Sequence, residues 1–459
     1  MTLVEEYVSA LSDGWKDVFA DPRTHRRAVE HALAWPSAMG DRTISQDICM
    51  LGRSQQDWSA DYKMYSRSPW DAERLFDPVI DEYLKRHPKG PVVMAMDDTK
   101  VHKTGKHIPG ASWQRDPMSP PFHVNFIWGL RFLQASLLFP HYQEGDFSAR
   151  AFPVRFQHVP VVPKPRKAAT EDELKQYRAL RKDKNLSTAA LSLVQGLRLL
   201  LDQKGAADRQ LLIPVDGSFC NRTFFKTPIP GVDLLARCRK DARLCFPDLC
   251  GSRRKYAAEV FTPEDVRKSD RSDWKQTRIY FGSKQRKVRY KVLDDVLWRR
   301  GAATRHLRLI VIAPVPYKMS AHSRTNYRDP AYLLTTDLKT SPKKLLQHYF
   351  DRWQIEVNHR DEKAILAVGH SHVWSPLSVP RQPAFTVACY SMLLLSCLRH
   401  SGPARTSEFG PLPKWRKSRP NRPSLQDMLT LLRKNLCETS VSGFLDVNFG
   451  KNITFYSKT

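Results

Sequence analysis

Hydrophobic residues change their spacing several times along the chain, and each change marks an element boundary. Over residues 1–88 they recur at helical intervals with few strand-like runs, which predicts a helical N-terminal region. Within it, Ile44, Ile48 and Leu51 repeat at helical spacing, Gly52 interrupts, and a polar and aromatic helix resumes over 54–65. A unit of this kind can lay its second helix in a DNA major groove, or it can pack as an ordinary helical hairpin on the core; the pattern leaves both open.

From residue 89 the character shifts. Residues 91–96 form a continuous apolar run, the mark of a strand buried on both faces, and it ends at Asp97-Asp98-Thr99. Strand-like runs follow at 123–130 and 131–139, then a Pro-rich basic linker at 160–167 and a leucine-rich helix at 187–201. A second buried strand, 211–215, ends at Asp216-Gly217-Ser218, and a third covers 232–236. Over 241–315, Lys and Arg alternate with apolar and aromatic residues, as in Lys287-Val288-Arg289-Tyr290. Period-two alternation predicts half-buried antiparallel strands with a positive outer face. Two further strands at 307–312 and 331–335 precede a long helix that begins near Ser341 and runs through Glu356 to about 366. An apolar helix at 383–398 and a Pro-rich basic loop to 423 come last. Ser424 and Asp427 then form a capping box for a final helix, 425–435.

These patterns divide the chain into a helical region (1–88), an α/β core in two pieces (89–240 and 316–400), a β-rich basic insertion (241–315) and a C-terminal segment (401–459).

Charge narrows the functional classes. The 459 residues include 74 Lys plus Arg against 47 Asp plus Glu, a net charge of +27. Such an excess favours a polyanionic partner, because each neutralised phosphate releases counterions. The longest uncharged apolar stretch, 383–398, falls short of the roughly 20 residues a membrane span needs, so no membrane association is expected. Residues 1–10 carry two glutamates and no apolar run, unlike a secretory leader. The eight cysteines form no paired zinc set; Cys245 and Cys250 lack a second pair, which fits free thiols in a reducing cytoplasm.

Three acids stand out by context. Asp97 and Asp216 end buried strands, where the rim of an open α/β sheet receives ligands, and Glu356 lies on a helix far along the chain. Hard cations such as Mg²⁺ take carboxylate oxygens, and two of them about 4 Å apart can activate the attacking oxygen and stabilise the leaving one in phosphodiester cleavage. Around Glu356, the positions Tyr349, Arg352, Glu356 and Lys363 fall on one face of a helix and present a carboxylate between donors suited to a DNA backbone. The same spacing also describes a solvated face with an Arg–Glu ion pair.

The series Tyr349, Arg352, Glu356, Lys363, with Met96-Asp97-Asp98-Thr99 and Val215-Asp216-Gly217-Ser218-Phe219 before it, resembles the signature of bacterial insertion-sequence DDE transposases, the cut-and-paste group. The resemblance covers roughly residues 40–370. It implies an RNase H-like core, a mixed sheet flanked by helices, with a β-rich insertion before the last catalytic helix. It implies cleavage of transposon ends and strand transfer into target DNA by a nucleoid-associated protein. Asp97, Asp216 and Glu356 would hold two Mg²⁺ ions, with Mn²⁺ as a substitute, and the partners would be double-stranded inverted repeats, target DNA and a second copy of the chain. Tyr349, Arg352 and Lys363 would contact phosphates. Within the doublet, the group's spacing to a following Ser or Thr selects Asp97, with Asp98 as the alternative. Trp298, in the basic insertion, would hold a flipped base; as a residue read by itself, it equally packs the insertion's core. Two rivals stay open: a transposase-derived DNA-binding regulator without cleavage, and another RNase H-like nuclease.

Overall fold

The computed structural model describes residues 1–438 apart from 39, 41, 117, 121, 141–148, 249–252, 283, 321 and 417–419; Cys250 thus lies outside the described residues. Five helices open the chain: α1 (Leu3–Gly14), α2 (Pro22–Ser37), α3 (Ile44–Met50), α4 (Ser59–Ser66) and α5 (Asp77–Arg86). Thr2 and Glu5 form a capping box on α1, and Asp21 caps α2 ahead of Pro22 in its first turn. The hairpin of α3 and α4 exists, but α4 begins only at Ser59. Its Asp61, Met64 and Tyr65 are buried, and Asp61 bonds His31 of α2, as in a hairpin packed on the core.

The strands and helices that follow are β1 (Val92–His102), β2 (Ser112–Arg115), β3 (Phe126–Pro140), β4 (Ala149–His158), α6 (Glu171–Asp183), α7 (Leu186–Gln203), β5 (Leu211–Val215), α8 (Arg222–Lys226) and β6 (Val232–Arg237). The basic stretch contributes β7 (Leu244–Pro247), β8 (Tyr256–Phe261), α9 (Pro263–Lys268), β9 (Lys275–Tyr280), β10 (Gln285–Leu297) and α10 (Arg299–Ala302). Then come β11 (His306–Ile312), β12 (Val315–Tyr317), β13 (Asn326–Arg328), β14 (Ala331–Thr335), α11 (Pro342–Asp351), α12 (Gln354–Ala364), α13 (Ser378–Ser401) and α14 (Leu425–Glu438).

Twelve strands share one mixed sheet in the order β2-β3-β1-β5-β6-β14-β11-β10-β7-β8, with β4 on β3 and β9 on β10. β1, β3 and β4 are antiparallel neighbours, whereas β5 and β6 run parallel to β1. The strands of 241–315 extend this same sheet, since β10 pairs with both β11 and β7. Their alternation holds for buried Val288 and Tyr290 around exposed Arg289, then breaks at Lys291, which is buried and donates to the carbonyls of Val266 and Ser269.

Helices cover both faces. On one, Val93, Ala95, Leu212 and Leu333 pack against Leu345, Leu346 and Ile355 of α11 and α12. On the other, Met94, Met96, Leu211, Ile213 and Val215 share a cluster with α1, α2, α5, α7 and the buried α13. The 1–88 helices therefore draw their core from the sheet they cover.

Two expected element boundaries differ, and one helix was not expected. β1 continues past the Asp doublet to His102, because β3 is a single 15-residue strand whose ladder runs out to Gly129 opposite His102 and satisfies the polar backbone there. The long helix expected from 341 to 366 is two helices meeting at Arg352 and Trp353, where Ile355 and Glu356 donate to carbonyls three residues back. And α6 lacks buried residues altogether, so no apolar periodicity announces it.

Candidate functional site: carboxylates around Arg352

The parallel register of β1 and β5 aligns Val92 with Leu211 and Val93 with Leu212; carried along both strands, the same offset sets Asp97 level with Asp216. Pleating decides the doublet. Asp97 shares parity with Val93 and Ala95, the face covered by α11 and α12, whereas Asp98 shares parity with Met94 and Met96. Asp97 accordingly meets Arg352, whose Nη1 stands 3.8 Å from its Oδ2. The charge that acts most strongly on Asp98 is that of Arg131.

Arg352, at the joint of α11 and α12, also donates from Nη2 to Glu356 Oε1 at 2.9 Å. One guanidinium thus lies between two carboxylates from distant parts of the chain. Burial and then the neighbouring negative charge of Asp216 push the Asp97 carboxyl up to about 7, against the pull of Arg352. Asp216 is held by its own turn: Ser218 N–H donates to Oδ1 at 2.8 Å. The Asn221 amide donates to the Ser218 carbonyl and to Ser187 Oγ, each at 3.0 Å, and so ties this loop to the start of α7.

Behind Glu356, Asn358 clamps α12 to the sheet. Its Nδ2 donates to the Ala151 carbonyl and to Tyr390 Oη, while its Oδ1 accepts from Ser136 Oγ. Nothing in the amino-acid pattern singles out Asn358; its role comes from the β3, β4 and α13 groups around it. Glu362 on the same helix is fully enclosed, and burial pushes its carboxyl up to about 8.

Two clefts open beside the acids. One, of about 810 Å³, is bordered by Asp216, Arg237, Arg239, Lys240 and Arg267. The other, of about 570 Å³, is lined by Arg237, Arg328, Tyr349, Arg352, Trp353 and Phe281, and Arg237 joins the two. Arg328 lies 5.5 Å from the Phe281 ring and 5.7 Å from that of Tyr317. Trp353, at the break between α11 and α12, is 43% exposed at this cleft beside Phe281. Ile355, two residues on, is buried.

Tyr349 and Arg352 line the cleft, and Lys363 is exposed within electrostatic reach of Asp98 and Asp97. Trp298 stands elsewhere: its half-buried ring packs edge-to-face on Phe225 and against the core, and no described contact joins it to the acids. That arrangement matches the packing alternative for this residue. Lys103 is structural, since its ammonium donates to the Gly369 and Ser371 carbonyls.

Two observations bear on whether a divalent cation fits. The carboxylate oxygens of Asp97, Asp216 and Glu356 are of the hard type that divalent cations take, and burial and the charge of Asp216 raise the Asp97 carboxyl to about 7. Arg352 Nε and Nη1 are buried and have no hydrogen-bond partner, as expected of a guanidinium waiting for an anion. In the present side-chain positions, no three His, Cys, Asp or Glu groups among the described residues are gathered closely enough to hold a metal ion, and Arg352 fills the cationic role. Among the described residues no helix is long and apolar enough to cross a membrane.

No family model matches the chain, and no curated protein matches it. Among solved structures, it is similar to a piggyBac transposase synaptic complex with hairpin DNA at 10% identity, over 99% of this chain and 83% of that one, with a TM-score of 0.35. A likeness so distant says nothing about the chemistry of this chain.

Proposed function

We propose that this chain is a DNA-cutting and DNA-joining phosphoryl transferase of the DDE transposase type, built on an RNase H-like core formed by β4, β3, β1, β5 and β6. The observation that carries the reading is that Asp97 and Glu356 meet at Arg352, with Asp216 near enough to act on Asp97, at the mouth of clefts rich in arginine and from three remote parts of a strongly basic chain.

Asp97, Asp216 and Glu356 would hold Mg²⁺, or Mn²⁺ in its place. Bound there, the ions supply charge neutralisation and activation of the attacking oxygen. The protein's own part is positioning. Were Asp97 and Glu356 engaged by metal, Arg352 Nε and Nη1, which make no hydrogen bond, would be free to meet a phosphate, and Arg237 would continue the positive wall between the clefts. Tyr349 Oη and Lys363 offer further donors to the backbone. The exposed ring of Trp353, beside the half-buried ring of Phe281, suits the stacking of bases that leave the duplex, the role the resemblance implied for Trp298. In-line attack by water would free a 3′-hydroxyl, which would then attack target DNA; a dimer bridging two ends follows from that reaction.

Incubation with Mg²⁺ and duplexes carrying the inverted repeats that flank the gene tests this reading. Cleavage by the wild type, its loss in Asp216→Asn, and joining of a pre-cleaved end to a second duplex are expected. Cleavage without joining would mark a plain nuclease, and equal binding by both proteins without cleavage a DNA-binding regulator.

A further inference from the structure

Helix α6 stands apart from the packing that defines the rest of the molecule. Thirteen residues long, it buries none of its side chains, and Leu180 is 46% exposed. It is well started, with Thr170 and Glu173 in a reciprocal capping box. Its charges are sorted along the axis: Glu171, Asp172 and Glu173 occupy the first turn, and Lys175, Arg178, Arg181 and Lys182 follow, with Lys184 as the C-terminal cap. Across 160–184, eight Lys or Arg face four Asp or Glu, a net charge of +4. Among the described residues, none of these cations makes an ion pair, and Arg178 and Lys182 are like charges at i,i+4, an arrangement that weakens a free helix. Isolated helices of this length are marginal in water, so an arrangement of this kind calls for an anionic partner.

Its location gives that partner a place. The basic end of α6 is joined to the acid site by a run of hydrogen bonds. The Lys182 carbonyl accepts from Asn185, the cap of α7, at 2.6 Å. Ser187 in the first turn of α7 accepts from Asn221, Asn221 donates to the Ser218 carbonyl, and Ser218 N–H is bonded to Asp216. The acidic end of α6 is the end remote from this loop.

We propose that α6 and the basic coil before it form an arm that lies along the phosphates of a DNA duplex entering at Asp216. This rests on the DNA-processing reading above and adds a contact surface outside the clefts. Charge complementarity selects DNA over a second copy of the chain, because two such basic faces repel each other.

The test is duplex binding as a function of salt, read by fluorescence anisotropy with a random-sequence duplex, since backbone contacts do not depend on sequence. Replacing three cations in Arg178→Gln/Arg181→Gln/Lys182→Gln should lower the slope of log K against log salt by about 2 to 3, at roughly 0.9 per lost contact. Arg178→Lys/Arg181→Lys/Lys182→Arg should restore it. The charge-matched control, Lys339→Gln/Lys343→Gln/Lys344→Gln, alters surface lysines at the far end of the sheet near Gly90 and should keep the wild-type slope. These exposed side chains carry no packing, so every variant should keep the wild-type melting temperature. Equal slopes for the α6 variant and the control would overturn the arm, and so would a change in self-association without a change in slope. Failure of the wild type to bind duplex DNA would instead overturn the DNA reading, and the arm with it.

Discussion

The protein buries two clusters of acids and arginines, and their charge balance differs. Under the N-terminal helices, Glu30, Asp47 and Asp61 meet Arg26, Arg27, Arg53 and His31. Arg27 lies 3.3 Å from Asp61, Arg26 3.1 Å from Glu30, and His31 Nε2 2.9 Å from Asp61. The set is enclosed, with His31 fully buried. At the edge of the sheet, Asp97 and Glu356 both pair with Arg352, Asp216 stands near Asp97 with no ion pair among the described residues, and the group opens onto two clefts. The first cluster neutralises itself and ties α2, α3 and α4 together. The second leaves acids in excess within a chain of net charge +27, and it leaves Nε and Nη1 of Arg352 without a hydrogen bond. Burial and charge are common to both; an unbalanced sum facing solvent is what marks a site for a ligand.

Opposite responses to mutation should sharpen this contrast. Asp216→Asn is expected to cut Mg²⁺-dependent cleavage by about a thousandfold or more, the scale of losing a principal electrostatic group, or about 4 kcal/mol of barrier. Its melting temperature should stay at or above the wild-type value, since repulsion on Asp97 is relieved. Asp61→Ala should do the reverse. It strands Arg27, Arg53 and His31 in the interior and should cost about 3 to 5 kcal/mol in urea denaturation, with cleavage per folded molecule unchanged. Similar activity losses in both variants would erase the distinction between the clusters.

A smaller effect concerns the cleft. Trp353→Ala should weaken binding of a duplex with an unpaired end by about 1 to 3 kcal/mol, the value of one stacked base, and leave binding of a blunt duplex unchanged. Equal losses on both substrates would remove stacking from the account.

The smallest effect is one of pH on the N-terminal cluster. Burial lowers the His31 pKa, but hydrogen bonds and charge from Asp47 and Asp61 outweigh it, and the net shift is upward. A raised folded-state pKa contributes stability that is fully present below the unfolded value of about 6.5 and is lost as pH rises through the folded value. The stability advantage of wild type over His31→Gln should therefore shrink from pH 6 to pH 9. An advantage that grew with pH would mean that His31 is held neutral.

Much of the site was legible because its chemistry is local. Val215-Asp216 and the Tyr349, Arg352, Glu356 series stand at element ends whose patterns are strong, and β5 lies where its apolar run predicts. The spacing of the resemblance favoured Asp97 over Asp98, but the hydrophobic pattern was silent, since a strand buried on both faces carries no parity signal. Only the placement of α11 and α12 over Val93 and Ala95 supplies one. The placement of Trp298 and Trp353 was not legible for the same reason: an indole packs or protrudes according to the elements that surround it, here Phe225 for one and the broken helix for the other.

By itself, the amino-acid sequence determined the order of helices and strands, the positive charge and the candidate acids, because period, capping and charge are properties of neighbouring residues. The tertiary structure decided that the strands of 241–315 continue the main sheet, that the N-terminal helices share its core, and that Arg352 stands between Asp97 and Glu356. Those are pairings across hundreds of residues, set by which faces can be buried together, and no local pattern encodes them.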